Sequence, residues 1–524
     1  MQYSVLLLAI TFGNDDNDSK RSSFLVIILL LSRNLLSSLR DNTTVRGQME
    51  TIRDKQELYG TESEQYVKEI VTSTKQYIWI REEDQCLILR PNRVHHLNET
   101  ATTMLSRLYG GDDPNEVVRD ISHRFDVSPR KVEEDVIKLL NAICSILRRD
   151  YCPDCTPQIT TTPFGSHELK YPVLSEIAVT YRCQNRCMFC YADAGSRNSE
   201  ELDTESLCRI IWKIFHEAHC PSLSFTGGEP TLRNDLPELI EYAKSLKERD
   251  QGMRVNLITN GIRCSSENYV LKLKKAGLDS AQVSLEAGTA EIHDAITGTR
   301  GSFDKTVEGI KNLKSAEIHT HTNTTICNIN KNHILQLVDF LADELQNEYF
   351  SANMVIQTGK ALKTDVQVTY KEVADLLPDI VEYSRRRGIR FVWYSPMPYC
   401  LFNPVAYGLG SKSCAACHGL LSVDPMGNVL PCSSFGKGVG NLLTVSFDEV
   451  WNNRVSRYWR EKRFVPPVCK DCEIVDVCGG ACPLYWDAVK NFDEIPTPSC
   501  GKLELTKWKI QRSLKGRVWG VGKG

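Results

Sequence analysis

The chain has 524 residues, 41% hydrophobic and 25% charged, and its 63 basic side chains are balanced by 66 acidic ones for a net charge of −3. That length exceeds one ordinary core and implies about two to four domains, while the lack of a basic surplus argues against nucleic acid as a partner. The composition is that of a soluble protein, but the 20 cysteines are unusual. They fall in short-spaced groups within a large chain, which favours metal clusters in a reducing cytoplasm over a disulfide framework, and with them an anaerobic setting.

Two apolar runs lie near the N-terminus, at residues 5–10 and 24–31. Both are shorter than the ~20 residues that span a bilayer, so a membrane association is not expected. Lys20-Arg21 before the second run mimics a signal peptide, but no clear small-residue cleavage site follows. Met49 is an alternative start, so residues 1–48 need not be translated. Residues 1–75 read as an extension that need not belong to the fold; within it, 50–75 are polar and helix-prone without a core pattern.

From Gln76 the pattern changes. Tyr77–Ile80 and Cys86–Leu89 flank a turn-like Arg81–Gln85 and predict a hairpin. Asn98 caps a predicted helix, Val117, Val118, Ile121 and Phe125 form a helical stripe, and Ser128-Pro129 opens a third helix carrying Val132, Val136, Leu139, Leu140 and Ile143. A hairpin followed by three helices is a winged-helix layout. Residues 76–150, with Leu97-Asn-Glu-Thr-Ala101 and Phe125-Asp-Val-Ser128, resemble the PqqD-like peptide-recognition element of ribosomal-peptide maturation systems. The resemblance implies that a precursor peptide adds a strand to the hairpin's edge. A DNA-binding winged helix is the alternative, weakened by Glu133, Glu134 and Asp135 in the last helix. Residues 151–171 form a Pro- and Thr-rich linker holding Cys152 and Cys155, whose role the sequence leaves open.

Over residues 172–400 strands and helices alternate. Strands are predicted at Ser175–Tyr181, Ser222–Thr226, Arg254–Thr259, Ser280–Glu286, His319–Ile326 and Phe350–Gln357. Such alternation predicts an α/β fold whose parallel sheet curves into a partial (β/α)6 TIM-like barrel, with its chemistry at the C-terminal strand ends.

The first predicted strand runs into Cys183-Gln-Asn-Arg-Cys187-Met-Phe-Cys190. Three thiolates on one loop hold three irons of a [4Fe–4S] cluster and leave the fourth open to a small molecule; a partial zinc or redox site is the alternative. The motif, with Phe189 at its aromatic position, resembles the signature of radical S-adenosylmethionine (SAM) enzymes. The resemblance implies that SAM chelates the open iron and is reductively cleaved to a 5′-deoxyadenosyl radical. By the same resemblance Gly227, Gly228 and Glu229 hold the methionyl amino group, and Thr259, Asn260, Ser284 and Glu286 hold the ribose and methionyl carboxylate. Asn323–Thr325 and Met354–Gly359 are further segments of that pocket, with core packing as the alternative. No general acid or base is assigned: Tyr191, Asp193, His293, Asp294, Arg300 and Tyr399 lie near the motifs but read as structural.

Residues 401–505 carry Cys417-x9-Gly427-x4-Cys432, then Cys469-x2-Cys472-x5-Cys478-x3-Cys482, then Cys500. These spacings resemble the SPASM extension of peptide- and cofactor-maturing radical SAM enzymes. The resemblance implies two auxiliary [4Fe–4S] clusters, one on Cys417, Cys432 and Cys482, the other on Cys469, Cys472, Cys478 and Cys500. Cys414 is the natural fourth ligand of the first, with Cys400 or an open iron as alternatives. Two structural zinc sites are the competing reading. Residues 506–524 form a tail.

The expectation is therefore a cytoplasmic radical SAM–SPASM maturase that oxidatively modifies a ribosomally made peptide docked on residues 76–150, with a flavodoxin or ferredoxin as reductant. A tetrapyrrole or other cofactor precursor is the alternative substrate. An electron carrier or peptide scaffold is the alternative class, and it would not need the Gly-Gly-Glu or Ser284-Leu-Glu286 segments.

Overall fold

The computed structural model describes residues 61–90, 92–148, 159–162, 169–195 and 200–496. The two N-terminal apolar runs, Cys152, Cys155, Cys500 and the tail lie outside the described residues. Among the described residues no helix is long and apolar enough to cross a membrane.

The N-terminal part begins earlier than expected. Helix α1 (Thr61–Thr74) buries Tyr66, Val67 and Ile70. The Tyr66 hydroxyl donates to Asn141 Oδ1 at 2.6 Å, and Thr74 Oγ1 meets the Tyr109 hydroxyl at 2.6 Å. Strands β1 (Ile78–Arg81), β2 (Cys86–Leu89) and β3 (Arg93–Leu97) form an antiparallel sheet, one strand more than the predicted hairpin. His95 and His96 disguise β3, because a buried His95 sits between Val94 and Leu97 where an apolar residue is usual. Helices α2 (Glu99–Tyr109), α3 (Pro114–Phe125) and α4 (Pro129–Arg148) follow. Asn98 caps α2 by accepting from Ala101 N at 2.8 Å. Asp126 ends α3 in the left-handed region (φ 51°), which Asp tolerates better than most residues. Beyond α4, strand β4 (Ile159–Thr162) pairs antiparallel with β3, giving the order β1-β2-β3-β4.

This sheet is fastened to the next layer through β1. Arg81, 1% exposed, makes a two-bond pairing with Asp84 (2.7 and 2.9 Å) and donates to Pro172 O at 2.6 Å. Ile80 N donates to Gln251 Oε1 at 2.9 Å, from a two-residue ladder of β7 (Lys247–Glu248) and β8 (Gln251–Gly252). Trp79 packs edge-on against Phe215 at 5.7 Å.

The main sheet has ten strands. Strands β5 (Leu174–Thr180), β6 (Ser222–Gly227), β9 (Arg254–Thr259), β10 (Ser280–Ser284), β11 (His319–Ile326), β12 (Tyr349–Met354) and β13 (Arg390–Trp393) lie side by side in chain order, all parallel. The helices between them cover the outer face. The alternation is legible in β9, where Val255, Leu257 and Thr259 are buried and Arg254, Asn256 and Ile258 are half-exposed. Apolar side chains meet the helices; the opposite faces carry Glu176, Ser224, Asn256, Gln282 and Asn323, a polar, partly accessible lumen. Strand β13 is a seventh parallel strand beyond the six expected.

On the other side of β5 the sheet continues with β14 (Leu420–Val423), parallel to it, then β15 (Asn428–Leu430) and β16 (Gly440–Asn441). The cysteine-rich C-terminal region is thus built onto the first barrel strand, and buried Trp451, Trp459 and Trp486 form its core.

Candidate active site

The loop after β5 is held by backbone bonds from several sides. Arg186 N donates to Thr297 O at 2.8 Å, Met188 N to Ile296 O at 2.9 Å, and Lys360 N to Cys190 O at 3.0 Å. Within it Cys183, Cys187, Cys190 and Phe189 are all half-buried. Burial pushes the Cys183 thiol up to about 11 and the Cys187 thiol well above its usual range. Thiols so placed stay neutral until a cation compensates their charge. Two donors approach the sulfurs: Ala194 N at 3.3 Å from Cys190 Sγ and Asn260 Nδ2 at 3.9 Å from Cys183 Sγ. Soft thiol donors with N–H groups turned towards sulfur fit an iron–sulfur cluster. Among the described residues no three His, Cys, Asp or Glu side chains gather closely enough for a single metal ion.

Gly227 and Gly228 bring the end of β6 across the end of β5. Gly228 N donates to Thr180 O at 2.7 Å and Glu229 N to Arg182 O at 2.8 Å. A Cβ on Gly227 (φ +138°) would lie 2.2 Å from Thr180 O, and one on Gly228 2.3 Å from Arg182 O. Only glycine allows that approach. Glu229 is fully buried. Its Oε1 accepts from Thr231 N (3.1 Å), Thr231 Oγ1 (2.6 Å) and Thr259 Oγ1 (2.7 Å), and its Oε2 from Asn260 N (2.8 Å). Burial still raises its pKa, with these bonds opposing. Glu229 therefore ties Thr259 and Asn260 to the glycine pair, and Asn260 Oδ1 accepts from Gln184 of the cysteine loop at 3.2 Å. Sequence reasoning gave this carboxylate to a ligand; its four internal bonds leave Oε2 as its less committed oxygen.

Ser284 is half-exposed at the end of β10, two residues before buried Glu286. Glu286 Oε2 accepts from Thr325 N at 2.8 Å, which brings the predicted Asn323–Thr325 segment to the same place. Asn323 itself donates to Asn353 Oδ1 at 2.8 Å. Burial raises the Glu286 carboxyl from 4.5 to about 8, the Thr325 bond opposing. The folded chain therefore keeps a proton on Glu286 between pH 4.5 and about 8, where the unfolded chain has lost it. This contribution to stability is full below 4.5 and is lost as pH rises through about 8. Thermal melts of metal-free protein from about pH 5 to 9 are expected to fall more steeply for wild type than for Glu286→Gln. Parallel curves would contradict the assignment.

Asp193, His293, Asp294 and Tyr399 have structural partners. Asp294 caps the helix Ser302–Ser315, accepting from Gly301 N, Ser302 Oγ and Phe303 N at 2.5–2.9 Å. His293 is 1% exposed and held neutral, burial lowering it to about 4. Asp193 faces Lys360 at 3.8 Å, and the Tyr399 hydroxyl accepts from Lys412 N at 2.7 Å. The sequence did not point to Glu176. It stands on β5 in the lumen, accepts from Ser422 Oγ at 2.6 Å and also bonds Ser433. With Tyr181, Tyr191, Thr226 and Leu430 it lines a small cavity between the cysteine loop and Cys432. The signal was present: a lone carboxylate in Ser175-Glu-Ile-Ala-Val179, on the face shared with Ala178 and Thr180.

The later cysteines separate into two sets. Cys414 acts electrostatically on Cys417 and Cys432, and Cys482 acts on Cys432. Burial pushes the Cys417 thiol to about 12 and Cys432 well above its usual range. Cys472 and Cys478 form the second neighbourhood with Cys469, which opens the turn that Cys472 closes (Cys472 N to Cys469 O, 3.2 Å). Cys400 feels Cys478 and Cys472, and Tyr399 N donates to Cys478 Sγ at 3.4 Å. Cys400 thus stands with the second set, leaving Cys414 beside the first. Cys500 lies outside the described residues.

The sequence matches the family model of the Radical SAM superfamily over residues 177–341, Coenzyme PQQ synthesis protein D over 85–145 and the SPASM iron-sulfur cluster-binding domain over 386–473. Fe-coproporphyrin III synthase of Methanosarcina barkeri is 37% identical over 361 residues, covering 63% of this chain and 88% of that relative. Mycofactocin maturase MftC of Mycobacterium tuberculosis is 28% identical over 339 residues, covering 63% and 81%. Streptococcus suis SuiB bound to S-adenosylmethionine shares the fold with a TM-score of 0.58 at 17% identity, over 78% of this chain and 96% of that one. The chain belongs to the radical SAM superfamily, with PqqD and SPASM domains in N- to C-terminal order around the core. It is an enzyme of that class, using S-adenosylmethionine and [4Fe–4S] clusters.

Proposed function

We propose that the enzyme oxidatively modifies a ribosomally made peptide, recognised by a winged-helix-like element formed by β1–β3 and α2–α4. Cys183, Cys187 and Cys190 hold the SAM-binding cluster, which when bound supplies the electron that cleaves the sulfonium. The glycine pair and the Glu229, Thr259 and Asn260 cluster shape the pocket for the methionyl end, and Ser284 and Glu286 face the ribose. Cys414, Cys417, Cys432 and Cys482 serve the first auxiliary cluster; Cys469, Cys472, Cys478 and Cys500 serve the second. The observation that carries the peptide reading is the PqqD match on a sheet whose β3 edge already hydrogen-bonds an extended segment. A cytoplasmic flavodoxin or ferredoxin is the proposed reductant.

A tetrapyrrole side chain is the second reading, favoured by the 37% identity to Fe-coproporphyrin III synthase. Anaerobic, cluster-loaded enzyme assayed for 5′-deoxyadenosine with a peptide encoded beside the gene, and separately with iron-coproporphyrin precursors, discriminates the two. Peptide-dependent turnover with a mass change on the peptide is expected. Turnover with the tetrapyrrole alone would overturn the peptide assignment.

Lys462 makes a separate prediction. It is 4% exposed, donates to Ser413 Oγ at 2.6 Å, and interacts electrostatically with Cys414 and Cys478, one from each later set. A buried ammonium beside anionic clusters favours their reduced forms. Lys462→Met is expected to lower at least one auxiliary midpoint potential by tens of millivolts, roughly, in an EPR-monitored redox titration. Unchanged potentials would contradict this placement of charge.

A further inference from the structure

Strands β1–β3 present two edges, β1 and β3, and each already has a partner in the chain. At β1 all four residues are buried, and the Ile80 N–H is used by Gln251 of the barrel layer. At the other edge, β3 pairs with β4 in antiparallel register: Val94 with Thr162, His95 with Thr161, His96 with Thr160 and Leu97 with Ile159. That partner is a four-residue segment of the chain's own linker. Strand pairing of this kind rests on main-chain hydrogen bonds, which other sequences also supply. A short edge strand contributes few bonds, and it holds its place because tethering gives it a high effective concentration.

We propose that β4 is an internal stand-in for the substrate peptide. It occupies in cis the β3 edge over Val94–Leu97, and an extended substrate segment enters antiparallel to β3 only as β4 leaves. The inference rests on the reading of this domain as a peptide-recognition element and adds a competition to it. Apparent peptide affinity is the intrinsic affinity multiplied by the fraction of molecules with an empty edge. The device also covers an edge that would otherwise pair with other chains.

The test uses the full-length chain and a variant in which residues 159–162 become Gly-Ser-Gly-Ser. The probe is a fluorescein-labelled peptide of the chain's own residues 156–166, titrated to about 1 mM because so short a strand binds weakly without its tether. The variant is expected to bind it at least about tenfold more tightly than wild type. Hydrogen exchange gives an independent readout: the Val94 and His96 amides, which face β4, lose protection in the variant and regain it with the probe, while Leu97, which donates to Gln85 O at 2.9 Å, and Cys86–Leu89 stay protected. Only alternate amides of an edge strand face its neighbour, so N-methylating one alternate set is expected to abolish binding and methylating the other to leave it. Equal affinity for both proteins, or indifference to both methylation patterns, would overturn the proposal. SAM cleavage, followed as 5′-deoxyadenosine without peptide, is expected to be equal in both proteins. Failure here therefore leaves the enzymatic reading to its own test.

Discussion

Changing Cys183, Cys187 and Cys190 together to alanine is expected to remove one cubane and abolish 5′-deoxyadenosine formation, while the other clusters remain. The loop lies after β5 and is held by backbone bonds to Ile296, Thr297 and Lys360, none of which needs the thiols. The two later cysteine sets are carried by elements beyond β13, packed around Trp451, Trp459 and Trp486. Loss of the first site should therefore leave the others intact. Iron and sulfide analysis should give about two thirds of the wild-type content if three four-iron clusters are present. Collapse of all iron binding together would contradict the separation of the sites.

Gly228→Ala is expected to be severely damaging for so small a change. The added methyl would stand 2.3 Å from Arg182 O and 2.9 Å from Tyr181 C, both backbone atoms of the strand end that leads into the cysteine loop. No rotamer change relieves a clash with backbone, so β5 and β6 must part where Gly228 N bonds Thr180 O and Glu229 N bonds Arg182 O. Glu229 would then lose its alignment with Thr259 and Asn260, leaving a buried carboxylate poorly matched. The expected cost is more than about 3 kcal/mol, from overpacking together with an unsatisfied buried charge. Denaturant unfolding of metal-free protein measures it. Glu229→Gln, which keeps the shape but breaks part of the network, should cost less and retain some cluster.

The barrel was legible because its strands are apolar on one face and bounded by clear turns. The third and fifth predicted strands coincide with β9 and β11 in both bounds, and the others differ by a few residues at their ends. What escaped notice had mixed chemistry. Strand β3 carries two adjacent histidines, β4 is a threonine run inside a Pro- and Thr-rich linker, and α1 shows only a thin stripe of Tyr66, Val67 and Ile70. Each is stabilised by partners distant in sequence, such as Asn141 for Tyr66, which periodicity does not reveal. Site residues were legible as motifs, but their bonding was not. That Glu229 is bound internally four times, and that Tyr399 N, next to Cys400, reaches Cys478 Sγ, are facts of packing. Glu176 and Lys462 belong to no motif and emerge only once β5, β14 and the cysteine sets are brought together.

Addition of S-adenosylmethionine to oxygen-free, reduced, cluster-loaded enzyme, followed by low-temperature EPR, tests the central claim most directly. One reduced cluster signal is expected to shift on addition, and that signal should be missing from the Cys183, Cys187 and Cys190 triple variant. A spectrum indifferent to S-adenosylmethionine, or a responsive signal that survives in the variant, would contradict the account.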